Sequence, residues 1–311
     1  MRFAAFANVM IGYRAEIPYS HGTNLLELYY SHADFGYRGL REHRHTAFEI
    51  SCIKEGSGVY VAGGKKYDIA CGDLFFYSTN EPHCITEIKS PEGMTLMNIK
   101  FEPRFIWSGG SDMFDSKFLR IFLERNEHFE NRLDRANPAC AQIRELMLKI
   151  EEEFKNARPE YELMVKIYLL TTLAIANRSF GYVRDSARPV KLMGRQLSQI
   201  EMSMDYINEH YCGDVSLEEI ASSINMSKNY FSALFKKLNG MSPWDYITLK
   251  RIDRACDRLK NTSDVIIDIA CDCGFNSTAN FNRAFKKVTG ISPSEYRTYA
   301  ENNASDKPRY S

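Results

Sequence analysis

Three histidines and one carboxylate in the first third of the chain have a spacing that could support chemistry. His43, His45 and Glu49 follow the pattern H-x-H-x3-E, and His83 lies downstream in the segment NEPHCI. On a β-strand, side chains two residues apart project to the same face, so we expect these groups to converge, with His83 supplied by a facing strand. Imidazoles with a carboxylate could bind zinc, iron or nickel, whereas a pocket of His, Glu and aromatic residues suits a sugar or another small polar molecule.

A second candidate for chemistry is a repeated segment near the end of the chain. Residues 229–247, NYFSALFKKLNGMSPWDYI, and residues 279–297, ANFNRAFKKVTGISPSEYR, are identical at eight positions without a gap. The phenylalanines in each copy have helical spacing and predict one apolar face, and Gly240 and Gly290 are expected to end the two helices. A short helix and a tight turn precede each copy. That arrangement places the second helix of each pair in the major groove of DNA.

The helix faces opposite the phenylalanines carry side chains suited to nucleic acid. Asparagine can pair with adenine, arginine with guanine, and lysine neutralises phosphate. A long helix over residues 245–260 could hold the two reading helices about one DNA turn, ~34 Å, apart. The alternative is a helical bundle in which the repeat only builds a core. The predicted DNA-contacting side chains include Lys228, Asn229, Ser232, Ala233 and Lys236 in the first copy, and Asn280, Arg283 and Lys286 in the second.

Composition and length limit the class of protein. The 311 residues are 44% hydrophobic and 26% charged, which predicts a globular chain of about two domains. The net charge is zero, so any nucleic-acid surface depends on the local placement of charge. Eight scattered cysteines are typical of a reduced, cytosolic protein. The longest apolar stretch is too short to cross a membrane, so we expect a soluble cytoplasmic protein without a cofactor.

Three regions are predicted along the chain, and they define an α+β multidomain fold. Residues 1–105 form an antiparallel β-sandwich or small barrel, with hairpin turns at EGSG (55–58) and AGGKK (62–66). Residues 106–180 form a helical segment, in which the apolar stripe of Ile143, Met147 and Ile150 is predicted to help form a dimer interface. The alternative is that this stripe packs on its own barrel. A linker follows, and residues 196–300 are helical throughout.

The helical region resembles, nearly end to end, the DNA-binding domain of the AraC/XylS family of bacterial transcription regulators. The second copy matches the signature of that family closely, in G-F-N-S-x-x-N-F-N-R-x-F-K-K-x-x-G-x-S-P-x-x-Y-R. The resemblance implies that the first helix faces bases at Asn229, Ser232 and Ala233. Relatives often carry long polar side chains at the last two of these positions, so we expect this helix to read bases less directly. In the second helix the base-facing positions would be Thr278, Ala279, Asn280 and Arg283.

The histidine pattern is similar to that of the cupin barrel, which resembles the effector domain of many AraC/XylS regulators. In metal-binding cupins this arrangement holds an ion, but the usual glycine before the final histidine is replaced here in NEPHCI. We therefore expect His43, His45, Glu49 and His83 to form a metal-free effector pocket. The alternatives are a metal at the same residues and histidines with a purely structural role.

The resemblance implies a ligand-responsive regulator of transcription that controls a catabolic operon, such as one for carbohydrate use. Its expected partners are double-stranded promoter DNA, a small-molecule effector such as a sugar, RNA polymerase and a second copy of the chain. Membranes are not expected as partners, and no enzymatic activity is expected. The rival hypothesis is a cupin metalloenzyme, an isomerase or dioxygenase, that uses the same three histidines and glutamate.

Overall fold

The computed structural model describes residues 9–19, 24–35, 42–107, 117–126, 128–180 and 194–304. Most of the predicted linker lies outside these residues. The first part of the chain, called here the N-terminal domain, contains nine β-strands and three α-helices among the described residues, and the first helix precedes the last strand. The strands are β1 (Val9–Pro18), β2 (Asn24–Ala33), β3 (Phe48–Glu55), β4 (Ser57–Ala62), β5 (Lys65–Ala70), β6 (Leu74–Tyr77), β7 (His83–Ile88), β8 (Met94–Phe101) and β9 (Arg132–Leu133).

The strands form two antiparallel sheets. One has six strands in the order β1-β2-β8-β3-β6-β9, and the other has three in the order β5-β4-β7. Between the sheets lies an aromatic core in which the rings of Tyr60, Phe75 and Tyr77 stack in near-parallel planes. Along β3 the side chains alternate, so that Phe48 and its even-numbered neighbours face the helices while the odd-numbered residues face the space between the sheets. The antiparallel sandwich predicted from the sequence is confirmed.

Of the two predicted hairpin turns, one is confirmed and the other is wrong. β4 and β5 pair directly, and Gly63 and Gly64 form the turn between them with positive φ angles of 55° and 76°. β3 and β4 do not pair, because β3 bonds to β6 and β8 while β4 bonds to β5 and β7. The turn at Gly56 therefore carries the chain from one sheet to the other. A Cβ atom at Gly56 would lie 2.3 Å from the carbonyl oxygen of Gly93, so only glycine fits this crossing.

Helices α1 (Arg120–Leu123), α2 (Ala139–Asn156) and α3 (Tyr161–Ser179) cover the outer face of the six-stranded sheet. The apolar stripe of α2 was expected to help form a dimer interface, and this prediction is wrong. Its residues Met147 and Ile150 are fully buried in the core of their own chain, which is the alternative interpretation of the same pattern. The most exposed apolar side chains of these helices lie on α3, where Leu163 is 57% exposed and Ile167 is 52% exposed.

The second part of the chain, the C-terminal domain, contains seven helices among the described residues. They are α4 (Gly194–His210), α5 (Leu217–Ser223), α6 (Lys228–Asn239), α7 (Pro243–Asn261), α8 (Ile266–Asp272), α9 (Thr278–Thr289) and α10 (Pro293–Ala304). None of the described helices combines the length and apolar character needed to cross a membrane.

The sequence repeat is also a structural repeat. Helices α6 and α9 each have 12 residues, and each begins where a serine side chain, of Ser227 or Ser277, accepts a hydrogen bond from a backbone N–H. Each ends at a glycine in the left-handed conformation, Gly240 with φ 75° and Gly290 with φ 78°. The predicted glycine ends and the apolar phenylalanine faces are therefore confirmed, and α5–α6 and α8–α9 form two helix-turn-helix units.

The two domains contact each other at two places outside the main core. The guanidinium of Arg104 is buried, where it bonds to Glu102 at 2.5 Å and to Asp205 of α4 at 2.7 Å. At the other place, the hydroxyl of Thr79 bonds to the backbone of Asn239 in α6. The C-terminal domain is thus fixed against the open edge of the sandwich.

Candidate ligand cavity and nucleic-acid interface

A cavity of about 870 Å³ lies between the β-sheets and helix α7 of the C-terminal domain. His43, His45 and Glu49 line its wall, and His83 lies behind them, fully buried. The backbones of His43 and His83 form an isolated bridge, with N–O distances of 3.1 and 3.2 Å. This bridge brings the two imidazoles together, with ring centroids 4.1 Å apart and a 60° angle between the planes, and His45 lies 5.2 Å from His83. The histidines therefore converge as predicted, but for a different reason: residues 44–47 precede β3 and are not part of a strand.

One imidazole of the cluster holds a buried hydrogen-bond acceptor that no described residue uses. The Nδ1–H of His83 donates to the carbonyl of Glu81 at 2.9 Å, which leaves Nε2 as a buried acceptor without a hydrogen-bond partner among the described residues. Both nitrogens of His45 face oxygen atoms, with Nδ1 2.9 Å from the Ala47 carbonyl and Nε2 2.8 Å from the Glu49 carboxylate. A neutral imidazole can donate from only one nitrogen, so one of these contacts lacks a proton.

Charge in the cluster is concentrated on one carboxylate and one ammonium group. Burial lowers the pKa of His83 to about 4 and also lowers the pKa values of His43 and His45, so all three imidazoles are neutral near pH 7. Burial alone would raise the pKa of Glu49, but the nearby Lys100 ammonium and His45 hold it well below its usual range. The Nζ atom of Lys100 lies 3.5 Å from the Glu49 carboxylate.

The donor set fits a metal ion in its types and spacing but not in its charge balance. The ligand nitrogens of His43, His45 and His83 lie within 4.8 Å of one another, which is compatible with a divalent transition metal. However, the Lys100 ammonium already neutralises Glu49 and would repel a second cation in a poorly solvated site. An uncharged ligand whose hydroxyl groups donate to the imidazoles fits the cluster better.

Several residues of the cavity wall were not predicted from the sequence. Lys100 is one of them, and so is Tyr60. Behind the wall, the buried ring of Tyr77 stacks on His83 at 4.0 Å with a 7° angle between the planes. In β8, the polar residues Asn98 and Lys100 are two positions apart within an apolar run. That alternation is the signal that could have placed both on the cavity face. Lys250 and Asp253 of α7 also line the cavity.

The predicted DNA-contacting residues lie on the outer faces of α6 and α9. In α6 Ser232 is half-buried, and in α9 Thr278 is half-buried. Arg283 donates a 2.6 Å hydrogen bond to the Oδ1 atom of Asn280, so these two side chains form one unit on the surface. The exposed members of the predicted set are Lys228, Asn229, Ala233 and Lys236 in α6, and Ala279, Asn280, Arg283 and Lys286 in α9.

The two reading helices differ in their surroundings. A small cleft separates the C-terminal half of α6 from the N-terminal domain, and Ala233 and Lys236 line one side of it. The opposite side consists of Ser78, Phe122 and Leu123. No described residue of the N-terminal domain forms a hydrogen bond or ion pair with α9. Helix α6 therefore lies partly against the N-terminal domain, whereas the outer face of α9 is accessible to a nucleic acid.

A cavity-bearing β-sandwich joined to two helix-turn-helix units defines a ligand-responsive, DNA-binding regulator of transcription. Family models agree with this class: residues 25–173 match the AraC-like ligand binding domain, and residues 220–299 match a helix-turn-helix domain. The chain belongs to the AraC/XylS family.

Individual relatives cover most of the chain. The lactose operon transcription activator of Staphylococcus xylosus is 23% identical over 266 residues, which are 82% of this chain and 86% of the relative. The melibiose operon regulatory protein of Escherichia coli (strain K12) is 22% identical over 269 residues, which are 83% and 84% of the two chains. The crystal structure of ToxT from Vibrio cholerae aligns with a TM-score of 0.53 at 14% identity, over 88% of this chain and 98% of ToxT, and supports the fold alone.

Proposed function

We propose that the protein controls a carbohydrate catabolic operon in response to a sugar that binds at His43, His45, Glu49 and His83. The observation that carries this proposal is the cavity wall, where the polar groups of His43, His45 and Glu49 lie in front of the buried Nε2 acceptor of His83, which has no hydrogen-bond partner among the described residues. The names of two relatives, which refer to lactose and melibiose operons, support a sugar as the effector class.

A sugar matches the cavity in both its polar and its apolar groups. Its hydroxyl groups donate to the imidazole nitrogens and to Glu49, while the ammonium of Lys100 can donate to a sugar oxygen. The ring of Tyr60, which lines the cavity, adds an apolar surface for the C–H face of the sugar. A cavity of this size lies within the range of ordinary small-molecule sites, roughly 300–1,000 Å³.

In this proposal, the protein binds operator DNA through the exposed faces of α6 and α9. In this proposal Asn280 and Arg283 contact base edges, Lys236 and Lys286 contact phosphates, and the short Ser232 and Ala233 read little. The remaining members of the proposed DNA surface are Lys228, Asn229, Thr278 and Ala279.

The proposed assembly is a homodimer that recruits RNA polymerase to the promoter in the cytoplasm. The exposed apolar residues Leu163 and Ile167 of α3 are the proposed contact between copies, in place of the buried stripe of α2. The protein binds its effector without converting it, since regulation requires only a difference in effector affinity between two states of the protein.

A thermal-shift experiment on the full chain tests the effector site. Lactose, melibiose, maltose, galactose and xylose are titrated, and we expect at least one to raise Tm saturably, because a ligand that binds only the native state stabilises it. His45→Gln should weaken that shift. His32→Gln, in the same domain but outside the cavity, should keep it. Equal shifts in both variants would contradict the site, and conversion of the sugar by the wild type would support the rival enzyme hypothesis.

A further inference from the structure

The wall of the ligand cavity belongs to both domains. On one side are His43, His45 and Glu49, and on the other is α7 of the C-terminal domain, with Lys250 and Asp253 in the lining. Among the described residues, the cavity is continuous between these two sides. A ligand held at His45 therefore has the side chains of α7 within the same cavity.

Two charged groups of α7 are held in this cavity without partners. Neither the carboxylate of Asp253 nor the ammonium of Lys250 forms a hydrogen bond or ion pair with another described residue. The side chain of Asp253 is exposed to the cavity, yet the surrounding protein raises its pKa to about 6 by desolvation. Desolvation likewise lowers the pKa of Lys250, whose ammonium lies above the ring of Tyr246.

The charges of the N-terminal domain act on these groups across the cavity. Lys100 and Glu27, on the facing strands, are among the charges that influence Asp253, and Glu27 also influences Lys250. Lys250 is the leading charge that acts on Asp253, although the two side chains do not form an ion pair. Charged groups with shifted pKa values in a cavity are candidate ligand contacts. Each wall of the cavity therefore presents both hydrogen-bond donors and hydrogen-bond acceptors to the same space.

We propose that the effector site is shared between the domains, with Asp253 and Lys250 of α7 binding the same ligand as His45, Glu49 and His83. This inference rests on the proposed function and extends it to the C-terminal domain. The ligand class is an uncharged polyhydroxylated molecule, because both walls carry charges of both signs and a net charge on the ligand would be repelled at one of them. Asp253 accepts from a hydroxyl group of the ligand, and Lys250 donates to another.

Helix α7 also connects the two helix-turn-helix units, since it follows α6 and precedes α8 and α9 in the chain. A ligand that touches α7 therefore contacts the element that spaces the two reading helices. Binding of DNA and binding of the ligand must then influence each other by the same factor, as thermodynamic linkage requires.

The test compares Asp253→Asn and Lys250→Gln with Asp268→Asn, an exposed acid of the same domain that lies outside the cavity. The probes are lactose, melibiose, maltose, galactose and xylose, titrated against the full chain at pH 8. We expect Asp253→Asn to have a Tm equal to or above that of the wild type without sugar, because it removes an unpaired desolvated carboxylate. We also expect it to lose at least tenfold in affinity for the sugar that shifts the wild type, and Lys250→Gln to lose affinity too.

Each other outcome is informative. If the wild type and Asp253→Asn bind the sugar equally, the shared site is wrong while the proposed function stands. If Asp253→Asn lowers the sugar-free Tm and Lys250→Gln binds normally, these residues support the fold rather than the ligand, and the inference fails. If no sugar of the panel shifts the wild type, the polyhydroxylated class is contradicted, and with it both the proposed function and this inference.

Discussion

The hydroxyl of Thr79, in the turn between β6 and β7, donates a 2.6 Å hydrogen bond to the backbone carbonyl of Asn239 at the end of α6. The next residue, Gly240, lies so close that a Cβ atom there would be 2.6 Å from the same hydroxyl. The N-terminal domain therefore contacts the C-terminal end of α6, the first helix that is proposed to read DNA. This contact lies beside the cleft lined by Lys236.

Breaking this contact should release α6 for DNA. Thr79→Val keeps the shape of the side chain but removes the donor, at a cost of about 1 kcal/mol to the interface. We expect operator DNA to bind up to about fivefold more tightly without effector, measured by fluorescence anisotropy. Thr86→Val, which removes a hydroxyl bonded within the N-terminal domain, is the control. Equal affinities for the two variants would contradict the role of Thr79.

Arg283 and Asn280 should act together in base recognition. Each replacement by Ala is expected to cost about 1–3 kcal/mol of binding and to relax preference at particular base pairs. Because the two side chains bond to each other, the double variant should cost less than the sum of the single ones. Lys286→Ala and Lys236→Ala should instead weaken binding to all sequences and lower the salt slope by about one.

Selection from a randomised site library checks the same division of labour. The half-site that faces α6 should tolerate more sequence variation than the half-site that faces α9, because Ser232 and Ala233 are short. A more stringent half-site at α6 would refute this expectation.

Acid should destabilise the N-terminal domain through its buried histidines. The pKa of His83 is about 4 in the folded chain and near 6.5 when unfolded, so the unfolded state binds more protons between these values. The stabilisation is fully present above pH 6.5 and is lost as the pH falls, by about 1 kcal/mol at pH 5.5 for His83 alone. The shifts of His43 and His45 act in the same direction.

Urea unfolding between pH 7.5 and 5.5 measures this effect. The pKa of Asp253 is raised to about 6, so its protonation acts in the opposite sense on acidification, and the series is best measured in Asp253→Asn. Adding His83→Gln should flatten the acid loss. An unchanged pH dependence would show that His83 does not titrate in this window.

Removal of metal should leave the effector response intact. Lys100 supplies the cation beside Glu49, so the site does not need another. We expect less than one metal ion per chain after dialysis, and the same sugar-induced rise in Tm with and without EDTA. Stoichiometric metal that survives dialysis, together with loss of the response after chelation and in His45→Ala, would overturn this prediction.

Charge on the outer face of α3 should prevent dimer formation. Leu163→Glu combined with Ile167→Glu places two carboxylates on the exposed apolar surface, and we expect a monomer by sedimentation at micromolar concentration. Val265→Glu, at a similarly exposed position in the C-terminal domain, should behave as the wild type. A dimer that persists in the α3 variant would place the interface elsewhere.

The parts of the fold that depend on local sequence were predictable. The caps at Ser227 and Gly240, and the apolar faces of α6 and α9, follow from residue types a few positions apart. The turn at Gly56 was not predictable in the same way. A glycine-containing turn looks the same whether the next strand pairs with the last or crosses to another sheet, and distant partners decide which occurs.

In the candidate site, too, some residues could be predicted from local sequence while others depend on distant parts of the chain. The spacing of His43, His45 and Glu49 indicated a cluster, but Lys100 comes from β8 and Asp253 from another domain, so no local pattern joins them. Periodicity likewise showed that Met147 and Ile150 need burial without showing what covers them. Tertiary packing decides which surface covers an apolar helix face.

Arg104 and Thr79 attach the N-terminal domain to different helices of the C-terminal domain. Arg104 is buried and bonds to the Asp205 carboxylate of α4, whereas Thr79 bonds to the backbone at the end of α6 through one neutral hydrogen bond, which contributes about 1 kcal/mol. The neutral contact is the weaker of the two, because hydrogen bonds between charged groups are stronger. Loss of the Thr79 contact alone would therefore free the end of α6 while α4 stays attached, so the first reading helix can change its position without separation of the domains.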